Sequence, residues 1–221
     1  MSFSNEWEER YRENTHLSVW PWSDLVSFVM RHARPDRKNF RVLELGCGAG
    51  ANIPFFEWLG VDYHAIEGSR SIVERLKTTH PELEERIVAG DFTRGIPFPG
   101  RFDLVVDRAA LTHNDTASIE MALEVVRNKL SSGGKYVGID WFSTDYCEFE
   151  KGTTGGDENT RTGYREGSFS GVGKVHFSDR EHLLHLFRNF EIMALEHKII
   201  RREIPQDGWH FASWNLVARK I

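Results

Sequence analysis

Short apolar runs that end in or beside an acidic residue recur along this chain, with stretches of helical periodicity between them. The runs predict strands over 41–45, 61–66, 86–89, 102–106 and 135–141. Each is short and nearly continuously apolar, as strands buried on both faces are. Residues 5–15 predict a helix that carries Trp7 and Tyr11 on one face at i, i+4. Trp20-Pro21-Trp22 then breaks the chain, and Ser23 is placed to cap a second helix striped by Leu25, Val26, Phe28 and Val29 and ended by Arg34-Pro35-Asp36. A third helix runs to about Trp58, with Phe55 and Trp58 read as core. A fourth starts at Ser69 or Ser71, turns Ile72, Val73 and Leu76 inward and stops near Pro81. A fifth covers 116–130 on Ile119, Leu123, Val126 and Leu130, and Ser131-Ser132-Gly133-Gly134 turns it into the fifth strand. A last helix is capped by Ser178, with Leu183, Leu184 and Phe187 inward. Two final strands, 190–198 and 210–219, are joined by a short non-helical segment and should pair antiparallel.

Strands alternating with helices give a doubly wound α/β domain with a seven-stranded, mostly parallel sheet. One domain is expected over 1–221: a helical cap over 1–35, a ligand-binding core over 40–141, a lid or insertion over 142–175, and a C-terminal helix and hairpin over 176–221. The insertion contains seven glycines and shows no sustained periodicity, a pattern of functional or disordered loops. Composition narrows the field of partners. Hydrophobic residues make up 40% and charged residues 28%, with a net charge of −5, which speaks against a broad nucleic-acid surface and for a small-molecule substrate. No apolar run suits a membrane span, and MSFSNEWEERYREN has no secretory signal core. Two cysteines, Cys47 and Cys147, suit a reducing cytoplasm. An amphipathic final strand leaves monomer and homodimer both open.

The chemistry gathers where the strands end. Glu44, Glu67, Asp91, Asp107 and Asp140 all fall at one edge of a parallel sheet, the edge where ligands bind in this architecture. Gly46, Gly48 and Gly50 follow the first strand at alternate positions, letting the backbone turn and approach a ligand closely. Glu44 would repel a pyrophosphate and attract an ammonium or sulfonium group, which points to S-adenosylmethionine. A competing reading is a nicotinamide-dependent oxidoreductase: Gly46, Gly48 and Ala51 fit G-x-G-x-x-G/A, with Glu67 about 20 residues on. Glu44, the Asp91-Phe92 pair and the lack of a Tyr-Lys hydride-transfer pair disfavour it. A third reading keeps the fold as a non-catalytic cofactor-binding scaffold.

On these residues the chain resembles the class I S-adenosylmethionine-dependent methyltransferases over roughly 40–141, with a Rossmann-like methyltransferase sheet. His176-Phe177-Ser178 and the ending Ala212 to Lys220 are similar to the small-molecule and tellurite-resistance types. The resemblance implies that Gly46, Cys47, Gly48, Gly50 and Asn52 form the loop under the methionine moiety and that Glu44 orients its amino group. It implies that Glu67, with Gly68 beside it, holds the ribose hydroxyls and that Asp91 and Phe92 serve the adenine. Asp107 and Arg108 border methionine and substrate.

Methyl transfer needs a general base only when the nucleophile must lose a proton, as a hydroxyl does. His113, Asp140 and His176 are the candidate bases, which makes oxygen the first choice of acceptor atom. Each also has a plainer reading: a helix-capping histidine, a buried acceptor and a loop-closing histidine, in that order. Arg108 could bind an anionic substrate group or form a salt bridge to Asp107 or a neighbouring carboxylate. His182 and His185, at i, i+3 with Glu181 nearby, suggest a metal only superficially, because they should sit on a solvated helix face and no third ligand is placed. Trp20, Trp22, Trp141, Tyr146 and Tyr164 could wall a substrate, and the N-terminal aromatics are expected to cap the cofactor.

Overall fold

The computed structural model describes residues 5–13, 17–36 and 39–221. Helix α1 (Asn5–Arg12) comes first; its predicted extension to residue 15 runs into 14–16, outside the described residues. Helix α2 (Ser23–Phe28) widens into a π-type turn, Val29–Ala33, closed by Arg34 at φ 48°. Its N-cap is Trp22 rather than Ser23, and no side chain caps it. Strand β1 (Arg41–Leu45), helix α3 (Ile53–Leu59), strand β2 (Asp62–Glu67), helix α4 (Arg70–Thr79) and strand β3 (Ile87–Ala89) follow. Then come β4 (Phe102–Arg108), α5 (Thr116–Lys129), β5 (Leu130–Phe142), three short strands β6 (Thr153–Thr154), β7 (Thr160–Thr162) and β8 (Val175–His176), α6 (Arg180–Leu186), β9 (Phe190–Arg201) and β10 (His210–Lys220).

The main sheet has seven strands in the order β3-β2-β1-β4-β5-β10-β9. β1 to β5 pair in parallel, whereas β10 runs antiparallel to both β5 and β9. Side chains alternate between the two faces, so each strand feeds two cores. Val42, Leu104, Val106 and Val137 pack with α2, α3 and α4 on one side. Leu43, Leu45, Val105 and Tyr136 pack with α5 and α6 on the other. Burial on both faces is why the strands read as unbroken apolar runs.

Local chemistry sets the helix starts. Ser69 Oγ accepts the Ile72 N–H at 3.2 Å, Asp115 caps α5 through the Ser118 N–H at 2.9 Å, and Asp179 caps α6 through the His182 N–H at 2.7 Å. Ser178 is not the cap of α6: its N–H donates to Phe142 O and its carbonyl accepts from Trp214 Nε1, which ties it to the sheet. On α6 the inward positions are Leu183 and Leu186, with Leu184 only half-buried. Trp58 is not core either, being 79% exposed while Phe55 is buried. Ile53 and Phe56 define the buried stripe of α3, and Trp58 lies roughly 200° around the helix from Phe56.

Residues 142–175 are not an irregular loop. β6, β7 and β8 form a small antiparallel sheet over an aromatic core of Phe142, Tyr146, Tyr164, Phe169 and Phe177. Two acid contacts clamp it to the start of α5: Asp157 Oδ2 accepts the Thr116 N–H at 3.0 Å, and Lys174 Nζ lies 2.5 Å from Asp115 Oδ2. Among the described residues no helix is long and apolar enough to cross a membrane. Phe177, fully buried against Phe149, Phe169 and Phe142, should carry a global share of stability. Phe177→Ala is expected to cost about 3–5 kcal/mol, read as a lowered urea midpoint. An unchanged global midpoint, with only local loss, would show that the segment folds apart from the sheet.

Candidate active site

The strand ends build a cavity of about 510 Å³ whose wall is completed by α1 and the 142–175 segment. Its floor is the turn after β1. Gly46 sits at φ 63°, and its N–H donates to Ile66 O at 2.8 Å. A Cβ there would stand 2.4 Å from Ala110 Cβ, so only glycine lets the turns after β1 and β4 touch. Gly48, at φ 53°, donates its N–H to Glu67 Oε2 at 2.9 Å. Cys47, Asn52 and Gly68 line the cavity beside them. Gly50 does not: a Cβ on it would meet Leu76 and Ile53 at 2.7 and 2.8 Å, so it serves packing between α3 and α4.

Three of the five acidic strand ends face this cavity. Glu44 is 2% exposed and accepts from Asn52 Nδ2 at 2.8 Å and Tyr63 Oη at 2.6 Å. Asn52 in turn accepts the Trp22 N–H at 3.2 Å, which fixes its amide orientation. Burial pushes the Glu44 carboxyl up to about 7 against the pull of those two donors. Glu67, also raised by burial, takes one N–H from Gly48 and one from Ser69, and each oxygen keeps further acceptor capacity. Asp91, two residues beyond β3, accepts from the Thr93 backbone and hydroxyl, and Phe92 lines the wall next to it.

Asp107 and Asp140 lie behind the wall instead. Asp107 is fully buried and spends its oxygens on Tyr136 Oη at 2.8 Å and the N–H groups of Ala110 and Leu111, which shapes the turn after β4. Burial raises it to about 6. Asp140 is 6% exposed and lies beneath Arg108, whose Nη2 is 3.1 Å from its Oδ2; that pairing, not one to Asp107, is the salt bridge Arg108 makes. Neither aspartate lines the cavity, whereas Arg108 does.

Of the three base candidates, only His113 lines the cavity. Its Nδ1 is 3.1 Å from the Lys174 carbonyl, which can only accept, so Nδ1 carries the proton and Nε2 is the basic nitrogen. Trp7 and Phe142 pack edgewise against the ring. His176 is fully buried under the 142–175 segment, between Thr160 Oγ1 at 3.3 Å and His182 Nε2 at 3.1 Å. Burial pushes it down to about 3, and it does not reach the cavity. His182 is therefore half-buried rather than on a solvated face.

Trp22 and Tyr146 stand in the wall, but Trp141 is core, donating to Tyr136 Oη, Tyr164 packs inside the segment, and Trp20 is 78% exposed. Trp7 and Tyr11 do cover the glycine turn from α1, which Glu8 anchors through the Ser69 hydroxyl at 2.6 Å. Sequence reasoning missed Tyr63, Phe169, Trp209 and Phe211. The last two had a signal. β10 runs against its neighbours, so its start, not its end, lies at the ligand edge.

Residues 42–134 match a family described as "Methyltransferase domain". In that stretch and in its sheet order the chain resembles the class I S-adenosylmethionine-dependent methyltransferases. It is 27% identical over 145 residues to the cypemycin N-terminal methyltransferase of a Streptomyces species, covering 64% of this chain and 56% of that protein. It is 30% identical over 131 residues to the malonyl-[acyl-carrier protein] O-methyltransferase of Chlorobium luteolum, covering 57% and 48%. The chain thus spans about half the length of the curated relatives it matches. A solved S-adenosylmethionine-dependent methyltransferase from Methanosarcina mazei superposes with a TM-score of 0.69 at 16% identity, over 92% of this chain and 99% of that one.

The raised Glu44 carboxyl has a thermodynamic consequence. Its unfolded value is near 4.5 and its folded value about 7, so the folded state holds a proton that the unfolded chain releases. The penalty is absent below about pH 4.5, grows as pH rises to 7 and is constant above, reaching about 3 kcal/mol at most. Asp107 and Glu67 act in the same direction. Urea unfolding of wild type and Glu44→Gln between pH 4.5 and 7.5 should therefore show a shallower decline for the variant. Parallel declines would mean that Glu44 ionises normally in the folded protein.

Proposed function

We propose that this protein transfers a methyl group from S-adenosylmethionine to a hydroxyl oxygen of a small molecule, by in-line displacement with His113 as general base. One observation carries the cofactor half of this reading: Glu44 and Glu67 are buried beside a glycine turn with neutral hydrogen-bond donors, a setting that a ligand cation would relieve. The residues fit that cofactor. Glu44 would take the methionine ammonium, Glu67 the ribose hydroxyls, and Asp91 with Phe92 the adenine; Gly46, Cys47, Gly48, Asn52 and Gly68 would form the bed. When bound, the cofactor supplies a methyl carbon activated by its sulfonium; the acceptor oxygen bonds to that carbon and the carbon–sulfur electron pair stays on sulfur.

The chain's part is then to hold and deprotonate. Positioning of nucleophile and carbon in line can be worth ~7–11 kcal/mol. Trp7, Phe142 and Phe169 would give the acceptor an apolar wall beside His113. The Lys174 carbonyl keeps the proton on His113 Nδ1, so Nε2 can accept the hydroxyl proton as the new bond forms and pass it to solvent. The two curated relatives are named for an N-terminal and an O-methyl acceptor, and a basic nitrogen in the cavity supports oxygen here.

Titration calorimetry with S-adenosylhomocysteine, with NAD as control, tests the cofactor assignment. Binding of the former alone is expected, with Glu67→Ala weakening it roughly 10–100-fold through lost hydrogen bonds to a charged group; binding of NAD alone would return the oxidoreductase reading. Once an acceptor is found, His113→Gln should lower kcat by about 10²–10⁴-fold while S-adenosylhomocysteine affinity holds. Unchanged turnover would remove the base and, with it, the argument for oxygen.

A further inference from the structure

The lid half of the cavity is aromatic, with Trp7, Phe142, Tyr146, Phe169, Trp209 and Phe211 in its wall. Among the described residues that line the cavity, Arg108 is the one lysine or arginine. Its placement is not incidental. The guanidinium lies 3.6 Å from the centroid of the Trp22 ring, so one face of it is fixed by stacking. Its Nη2 reaches Asp140 at 3.1 Å, and Asp140 is itself held on every polar atom in play. The Asp140 N–H donates to Asn215 Oδ1 at 3.0 Å, and Oδ1 receives Ser213 Oγ at 3.2 Å and Lys198 Nζ at 2.5 Å. Lys198 also reaches Asp24 Oδ2 at 2.7 Å.

Asp140 holds this position at φ 56°, inside a strand, where an L residue is strained. The register of β10 against β5 shifts at the same place, between Trp214 and Leu216. Strain of this kind persists only where the surroundings over-determine it. Its result is to place a carboxylate under Arg108 rather than in the cavity. The four charges balance, since Arg108 and Lys198 face Asp140 and Asp24. Lys198 shares Asp140, so that carboxylate does not fully offset the guanidinium, and Arg108 brings a positive charge to the wall of the cavity.

We propose that Arg108 reads an anionic group on the methyl acceptor, that Asp140 and Lys198 are its positioning residues, and that the acceptor is a flat aromatic molecule bearing a carboxylate. This inference rests on the methyltransferase reading above and names the substrate class for that site. An aromatic wall without a charge would accept any flat ring; a stacked guanidinium beside it selects those that carry an anion. A cationic amine is disfavoured by the same charge. The competing source of a carboxylate is the cofactor's own methionine moiety, and the test separates the two.

Wild type saturated with S-adenosylhomocysteine is titrated with benzoate, 2-hydroxybenzoate and benzamide, followed by calorimetry and by quenching of tryptophan fluorescence. The carboxylates should bind at least about 10-fold more tightly than benzamide, and Arg108→Met should abolish that preference. Lys198→Met removes a charge that does not touch the cavity. It leaves two carboxylates against one guanidinium, so carboxylate binding should weaken several-fold while benzamide binding stays put. Lys198→Arg should restore it, a rescue that a purely structural role does not predict. Equal binding of benzoate and benzamide, or no carboxylate binding at all, overturns the inference. It is overturned equally if Arg108→Met weakens S-adenosylhomocysteine but not 5′-(3-aminopropylthio)-5′-deoxyadenosine, which lacks the carboxylate. Failure of wild type to bind S-adenosylhomocysteine would instead bring down the methyltransferase reading first.

Discussion

Three carboxylates, Glu44, Glu67 and Asp107, are taken out of water together at one edge of a parallel sheet, and the groups that reach them are neutral donors. Burying charge without a cation is expensive, and much of the surrounding structure answers that cost. Tyr63 and Asn52 converge on Glu44, the turn after β1 bends to offer the Gly48 N–H to Glu67, and Tyr136 crosses the core to Asp107. Gly46 must be glycine because that bend brings the turn against Ala110. Of the three only Glu44 and Glu67 face the cavity, and among the described residues the donors that reach them are uncharged.

A second arrangement carries its own cations. Arg108, Asp140, Lys198 and Asp24 sum to no net charge across β4, β5, β9 and α2, with Asp140 shared between the two cations. The contrast assigns different work to two groups of acids that the sequence makes look alike. Glu44 and Glu67 are exposed to a ligand cavity, whereas Asp140 is consumed in orienting a cation.

The glycine-turn side of the cavity was legible because its signals are local. Apolar runs gave the strands, strand direction put the acidic ends on one edge, and Ser69 capped α4 as its position promised. Residues whose surroundings come from distant elements were not. β4 runs one residue past Asp107, and β5 runs from Leu130, through the expected turn at 131–134, to two residues past Asp140; a tyrosine in β5 and a lysine in β9 decided the partners of the two aspartates. His176 was drawn into a buried pair with His182, and Trp58 fell on the outer face of its helix. The aromatic core of 142–175 has no period because its rings meet from irregular turns, so periodicity could not announce it. Trp209 and Phe211 needed the direction of β10 to be used, not only its existence.

Helix α1 touches both halves of the cavity at once. Glu8 accepts from the Ser69 hydroxyl beside the glycine turn, while Arg10 reaches the Ser170 carbonyl at 2.8 Å in the 142–175 segment. The eight residues of α1 add nothing to the sheet, yet two contacts from its middle tie the two walls of the cavity to each other.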